Sequence, residues 1–327
     1  MLGQRSEAKG QSEPRPFSSS VEARQRRTLG VSPEVLRQVR LIELRTRGLV
    51  NSVFAGEYRS VFKGQGMEFA EVREYQPGDE VRSIDWNVSA RTGRTYVKRY
   101  VEERELTVML AVDCSGSESF GTARRFKQDL AAEVAALLTM SAVRNNDRIG
   151  VLLFSDRVEH VVPPRKGRRH ALRVIRDILV HEPEGRGTDI AGALEYLRGM
   201  LTSQHAIVFL LSDLQEEGLE RSLKLTSQRH DLVVATIEDP REAELPNVGL
   251  ARFVDAESGV PIELDTGDAR VRAAYKEAAL AHRLTRRKML RRLAIDEIPL
   301  RTNAPYVEAL LRFFGARERR RGRRGRR

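Results

Sequence analysis

The segment Leu106-Thr-Val-Met-Leu-Ala-Val112 is a continuous apolar run bounded by charged residues, which predicts a buried strand. From there the chain alternates between strand-like and helix-like patterns. Arg124 to Arg144 places Phe126, Leu130, Val134, Leu137, Leu138 and Ala142 at helical spacing. Asn145-Asn-Asp147 punctuates, and Arg148 to Phe154 predicts the next strand. Val158 to Val162 alternates and is expected to pair with it as a hairpin. Helices are predicted over about 169–180 and 189–201, then a strong strand over His205–Leu211. A helix over Gly218–Arg229, a strand over Asp231–Ile237 and a long basic helix over roughly 268–294 follow. Ile298–Arg301 reads as an edge strand and Pro305–Phe314 as a last helix. Repeated strand–helix units of this kind predict an α/β fold, a doubly wound, mostly parallel sheet with helices on both faces.

The N-terminal third follows a different pattern. Residues 1–30 are polar and aperiodic and are expected to be disordered. Ser32-Pro33-Glu34 suits a helix start, with Ser32 as cap and Pro33 in the first turn. Residues 49–105 contain several glycines, few helix signals and the alternating run Tyr96–Val101, and read as a small β-containing module. The expected organisation is a disordered segment at 1–30, a helix plus β module at 31–105, the α/β domain at 106–315, and a tail at 316–327.

Charge sharpens that division. The chain of 327 residues carries a formal net charge of +11, and residues 317–327 hold eight arginines against one glutamate. The body is nearly balanced, so the basicity belongs mostly to the tail, read as disordered. Such a tail suits a solvated end or non-specific contact with polyanions, nucleic acid included. No apolar run is long enough to cross a membrane, and the N-terminus lacks a signal-peptide core. The single cysteine, Cys114, fits a reducing compartment, so a cytoplasmic protein is expected.

Three predicted strand ends carry oxygen-bearing side chains. Asp113, Ser115 and Ser117 follow the first strand, Thr188 and Asp189 follow a glycine-rich turn, and Ser212-Asp213 ends the run 205–211. In a doubly wound sheet all three can share the carboxyl-end rim, where such sheets bind ligands. Hydroxyls and carboxylates without histidine favour Mg2+, or Mn2+, over zinc. Asp and Ser are also helix caps, so a purely structural cap is the alternative, and Asp189 in particular can cap the next helix.

The pattern Asp113-x-Ser115-x-Ser117, a Thr188-Asp189 loop and Asp213 after a hydrophobic strand resembles a von Willebrand factor A domain. The resemblance implies a metal-ion-dependent adhesion site. Ser115, Ser117 and Thr188 would hold Mg2+, while Asp113 and Asp213 would act largely through water and hydrogen bonds. An acidic side chain of a partner would complete the coordination. The segment from Gly64 to Arg91 resembles a bacterial family, domain-of-unknown-function family 58, whose members join such a segment to an A-like domain. It includes Glu68, Arg73, Tyr75, Pro77-Gly78-Asp79, Arg82, Asp85 and Trp86. That resemblance implies a MoxR-type AAA+ ATPase as partner and an adaptor or co-chaperone role. The charged members of the segment read first as an ion-pair network bracing the module, with a partner surface as the alternative. Trp86 reads as a packing anchor.

Two other classes compete. A metal-dependent phosphatase of the haloacid-dehalogenase type needs a second acid two residues after its nucleophilic aspartate, and Ser115 stands there. No phosphate-binding Gly-x4-Gly-Lys-Ser/Thr loop occurs, and the histidines lack metal-ligand spacing, so catalysis is not expected. Nucleic-acid binding rests on the tail, on Arg165–Arg169 and on the basic helix near Lys288, without interleaved aromatic residues.

Overall fold

The computed structural model describes residues 39–44, 68–101, 105–119, 126–202, 204–254 and 259–324, with Arg37 and Thr46 beside the first segment. The expected disorder at 1–30 lies outside these residues, as do Ser32 and Pro33. Residues 39–44 are helical, as expected.

Six strands build the main sheet: β3 (Thr107–Asp113), β4 (Arg148–Phe154), β5 (Val158–Arg165), β6 (Ala206–Ser212), β7 (Asp231–Glu238) and β10 (Asp296–Arg301). Their order is β10-β7-β6-β3-β4-β5. All neighbours are parallel except β5, which returns antiparallel along β4 as a hairpin. The order reverses between β3 and β6, at the centre of the sheet. Such a reversal leaves a crevice beyond the carboxyl ends of the two strands, because their helices depart to opposite faces.

Strand β3 shows why both faces are covered. Val108, Leu110 and Val112 point into one core with α2 (Lys127–Arg144), α3 (Arg168–Val180) and α8 (Tyr306–Arg324). Met109 and Ala111 point into a second core with α4 (Ile190–Met200), α5 (Glu220–Arg229) and α7 (Ala269–Arg292). Period-two alternation in a strand that is apolar throughout demands helices on each side. The doubly wound, mostly parallel α/β reading of the fold therefore holds.

The N-terminal module pairs β1 (Glu68–Glu74) with β2 (Tyr96–Val101) as an antiparallel ribbon around α1 (Trp86–Thr92). The helix has few sequence signals. Asp85 caps it by accepting from the backbone of Asn87 and Val88, and Gly93 ends it in the left-handed region. The ion-pair reading is realised between Arg73 and Asp79, whose two contacts of 2.6 and 2.9 Å clamp the Pro77-Gly78 turn. Lys98 pairs with Asp85 at 3.4 Å. Glu68 opens β1, Tyr75 is half-buried at its end, and Arg82 is exposed. Trp86 corrects the expectation of a packing anchor. It is 67% exposed, in the first turn of a short helix none of whose residues is buried.

Two further differences lie near the C-terminus. The segment after β7 holds the short helix α6 (Pro240–Ala243) and a hairpin of β8 (Leu250–Val254) and β9 (Pro261–Asp265). The last helix does not stop at Phe314 but continues to Arg324, through the segment read as a disordered tail. Arginine is a strong helix former, and Arg317 is tied to Asp231 and Asp296, with Arg320 also on Asp296. The tail's first arginines thus neutralise the amino ends of β7 and β10. Among the described residues no helix is long and apolar enough to cross a membrane.

Candidate metal centre

The crevice at the β3–β6 reversal is where the oxygen-bearing loops meet. Asp113 is the last residue of β3, buried, and its carboxylate accepts from the Ser115 backbone at 2.9 Å and from the Ser212 hydroxyl at 2.7 Å. Ser115 and Ser117 place their hydroxyl oxygens 3.0 Å apart. Backbone bonds lock the loops together. Cys114 N–H donates to Phe154, Gly116 N–H to Arg186, and Asp189 N–H to Ser155, each at 2.8 Å. The second loop is tied to the third by Ile190 N–H, which donates to Glu216 at 2.6 Å. Asp213 follows β6, with its backbone carbonyl accepting from Arg286 at 3.0 Å. Leu214 then turns at a φ of 54°, a strained region for a leucine, with its N–H held by the Ser212 hydroxyl.

All five residues expected at the site therefore gather at one rim, with Ser117, Thr188 and Asp213 facing a cleft of about 900 Å³. Asp189 instead caps α4, accepting from Gly192 N–H at 2.7 Å. The cleft runs from the rim to an apolar end formed by Phe253, Ile262 and Leu264 of the hairpin and Tyr275 of α7.

Three residues of the site, Glu118, Lys127 and Arg286, escaped the sequence reading. Glu118 is buried, and its carboxylate lies within 4.8 Å of ligand oxygens of Asp113 and Asp213. Lys127 is fully buried and bridges Asp213 at 2.8 Å and Glu242 of α6 at 2.6 Å. Arg286 is buried against Glu238 and the Asp213 carbonyl. A signal for Lys127 existed, since it precedes Leu130, Ala131 and Val134 at helical spacing and so belongs to the buried stripe of α2. Arg286 shows that the basic face of α7 is partly internal. Of the other basic run, Lys166 pairs with Glu105 and Arg168 with Glu43.

The electrostatics reflect an excess of buried negative charge. Burial, then the nearby Asp213, pushes the Asp113 carboxyl up to about 6. Burial likewise raises Glu118 well above the usual carboxylate range, against the pull of Lys127. For Lys127 burial alone would lower the ammonium pKa, but Glu118, Asp213 and Glu242 outweigh it and the net shift is upward. Burial also raises the Cys114 thiol, which leaves it protonated and unfit as a nucleophile. Three carboxylates facing one ammonium, with hydroxyls alongside and no imidazole, form a donor set suited to a hard divalent cation.

Comparison with known proteins places the chain. It is 34% identical over 289 residues to "Uncharacterized protein Rv1480" of Mycobacterium tuberculosis, covering 88% of this chain and 91% of that protein. It is 23% identical over 193 residues to "Uncharacterized protein YeaD" of Bacillus subtilis, covering 59% and 46%. Among solved structures, BatB of Bacteroides thetaiotaomicron aligns at 14% identity with a TM-score of 0.43, covering 65% of this chain and 99% of that one. The SpRpn10 VWA domain aligns at 10% identity with a TM-score of 0.36, covering 64% and 94%. The family described as "Protein of unknown function DUF58" matches residues 71–285, and the chain belongs to that family.

Proposed function

We propose that the chain is a metal-dependent protein-interaction module. Mg2+, with Mn2+ as a substitute, would be held by the hydroxyls of Ser115, Ser117 and Thr188, with Asp113 and Asp213 acting largely through water and hydrogen bonds. The observation that carries this reading is the paired hydroxyls of Ser115 and Ser117, 3.0 Å apart beside buried carboxylates, on a rim that opens into a cleft. A pair of hydroxyls and an excess of negative charge are what a hard cation satisfies, and an open side lets a partner add its own oxygen. The bound cation supplies a positive point to which an acidic side chain of a target can attach. The apolar end of the cleft, at Phe253 and Ile262, would receive the neighbouring residues of that target.

The partner we infer is a MoxR-type AAA+ ATPase in a bacterial cytoplasm, with this chain as adaptor or co-chaperone. Support comes from the signature over Gly64–Arg91, the part of the chain that resembles proteins accompanying such ATPases. Binding rather than catalysis is the reading favoured by Ser115 at the position where a phosphatase needs an acid.

The test is co-purification with the cognate ATPase in Mg2+ and in EDTA, for wild type and Asp113→Ala. Capture should be strong only for wild type with Mg2+. Equal capture in all four conditions would overturn the metal-gated reading.

A further inference from the structure

Glu118 lies one residue beyond the Asp113-x-Ser115-x-Ser117 motif, and nothing in the motif gives it a role. Its place is set by the backbone. Gly116–Ser119 form a single 3-10 turn, closed by Glu118 N–H donating to the Ser115 carbonyl at 3.1 Å. In this geometry side chains three residues apart eclipse, so Glu118 stands on the same side as Ser115. It is 1% exposed.

No hydrogen bond to the carboxylate accompanies such burial: neither oxygen of Glu118 has a hydrogen-bond partner among the described residues. Lys127 directs its ammonium to Asp213 and Glu242 instead. Asp113 is bonded by Ser115 and Ser212. Glu118 is thus the acid left without a donor, and it faces the ligand oxygens of Asp113 and Asp213 within 4.8 Å. A buried ionised carboxylate without a partner is strongly disfavoured, and in proteins such groups are paired or coordinate a metal.

We propose that Glu118 is a direct carboxylate ligand to the divalent cation of this site, added to the hydroxyl and aspartate set by the 3-10 turn. The proposal rests on the metal reading above and extends it. A third carboxylate makes the site a stronger trap for the cation than two aspartates and hydroxyls alone. With Lys127 already holding Asp213, the carboxylate of Glu118 is the group free to meet the ion.

The experiment is Mn2+ titration by calorimetry and thermal melting of the full chain, for wild type, Glu118→Gln and Asp113→Ala, with and without EDTA. Wild type should bind one Mn2+. Glu118→Gln should lose affinity by at least about tenfold, a loss that metal sites show even for outer-shell partners. In EDTA the Gln variant should melt no lower than wild type, because it replaces a buried carboxyl that has no hydrogen-bond partner with a neutral group of the same shape. Two results would overturn the proposal. One is wild-type affinity in Glu118→Gln while Asp113→Ala loses binding, which would leave the metal reading intact. The other is a lowered melting temperature of Glu118→Gln in EDTA with unchanged Mn2+ affinity, the mark of a counter-ion to Lys127. Absence of Mn2+ binding to wild type would remove both this inference and the metal reading.

Discussion

The ammonium of Lys127 lies 2.8 Å from the carboxylate of Asp213, and the lysine is completely shielded from solvent. The first residue of α2 thereby reaches across to the end of β6, so the helix and the crevice are fixed to one another. The same nitrogen holds Glu242, which belongs to α6 on the cleft wall. A lysine that serves two acids in a dry site is both a structural pin and the local counter-charge.

Lys127→Met should therefore destabilise the protein by about 3–5 kcal/mol in EDTA, as expected when one partner of a buried ion pair is removed. Asp213 and Glu242 would be left without their cation. If a divalent ion occupies the neighbouring cluster, Mg2+ should restore more of the melting temperature in the variant than it adds to wild type. Thermal melts with EDTA and with Mg2+ check both statements.

Trp86 offers a direct test of the N-terminal module. It is the only tryptophan in the chain and is largely exposed at the start of α1. Its fluorescence should be readily quenched by iodide, and Trp86→Ala should change unfolding free energy by no more than about 0.5 kcal/mol. A packing anchor would instead be shielded from iodide and cost about 3–5 kcal/mol on truncation.

One buried imidazole, His230, and one half-buried, His181, contribute to the acid side of the stability profile. Burial lowers the pKa of His181 and of His230, whose ring accepts from Ala206 N–H. Both rings are neutral in the folded and unfolded states above about pH 6.5, so their full contribution is present there. Below that value the unfolded chain takes up protons first, and stability is lost until the folded-state values are passed. Each ring can cost up to about 1.4 kcal/mol per pH unit within that window. The Asp113 carboxyl, raised to about 6, acts in the opposite sense, since the folded state gains its proton first as pH falls. Urea unfolding at pH 7.5 and 5.5 should show a smaller acid loss for His230→Gln than for wild type.

Sequence and structure agree where one local signal suffices. The apolar runs at β3 and β6 could only be strands covered on both faces, and Asp113, Ser115, Ser117, Thr188 and Asp213 end up at one rim because the sheet order reverses there. Glu118 and Lys127 were harder to read, since a charged side chain normally signals solvent and only the packed site shows why these are buried. The β8–β9 hairpin was missed because its strands carry Arg252, Glu263 and Asp265 on the outer face and only a few apolar residues within. Trp86 was misjudged because aromatic content predicts burial on average, while its own short helix buries none of its residues.

The arginine-rich end separates two roles within one helix. Arg317 is mostly buried, sits on the Phe313 ring at 5.9 Å and pairs with Asp231 and Asp296. Arg317→Ala should lower stability by about 1–3 kcal/mol, because it strips two partly buried carboxylates of a charged hydrogen-bond donor. Deleting residues 321–327 should leave the urea midpoint nearly unchanged. The same deletion should weaken retention on heparin and shift it to lower salt, since counterion release scales with the number of cations engaged. Arg317→Ala should elute close to wild type, because its charge is already committed to the sheet edge. Retention unaffected by the deletion would move any polyanion contact away from the C-terminus, to the exposed arginines of α7 or of the N-terminal module.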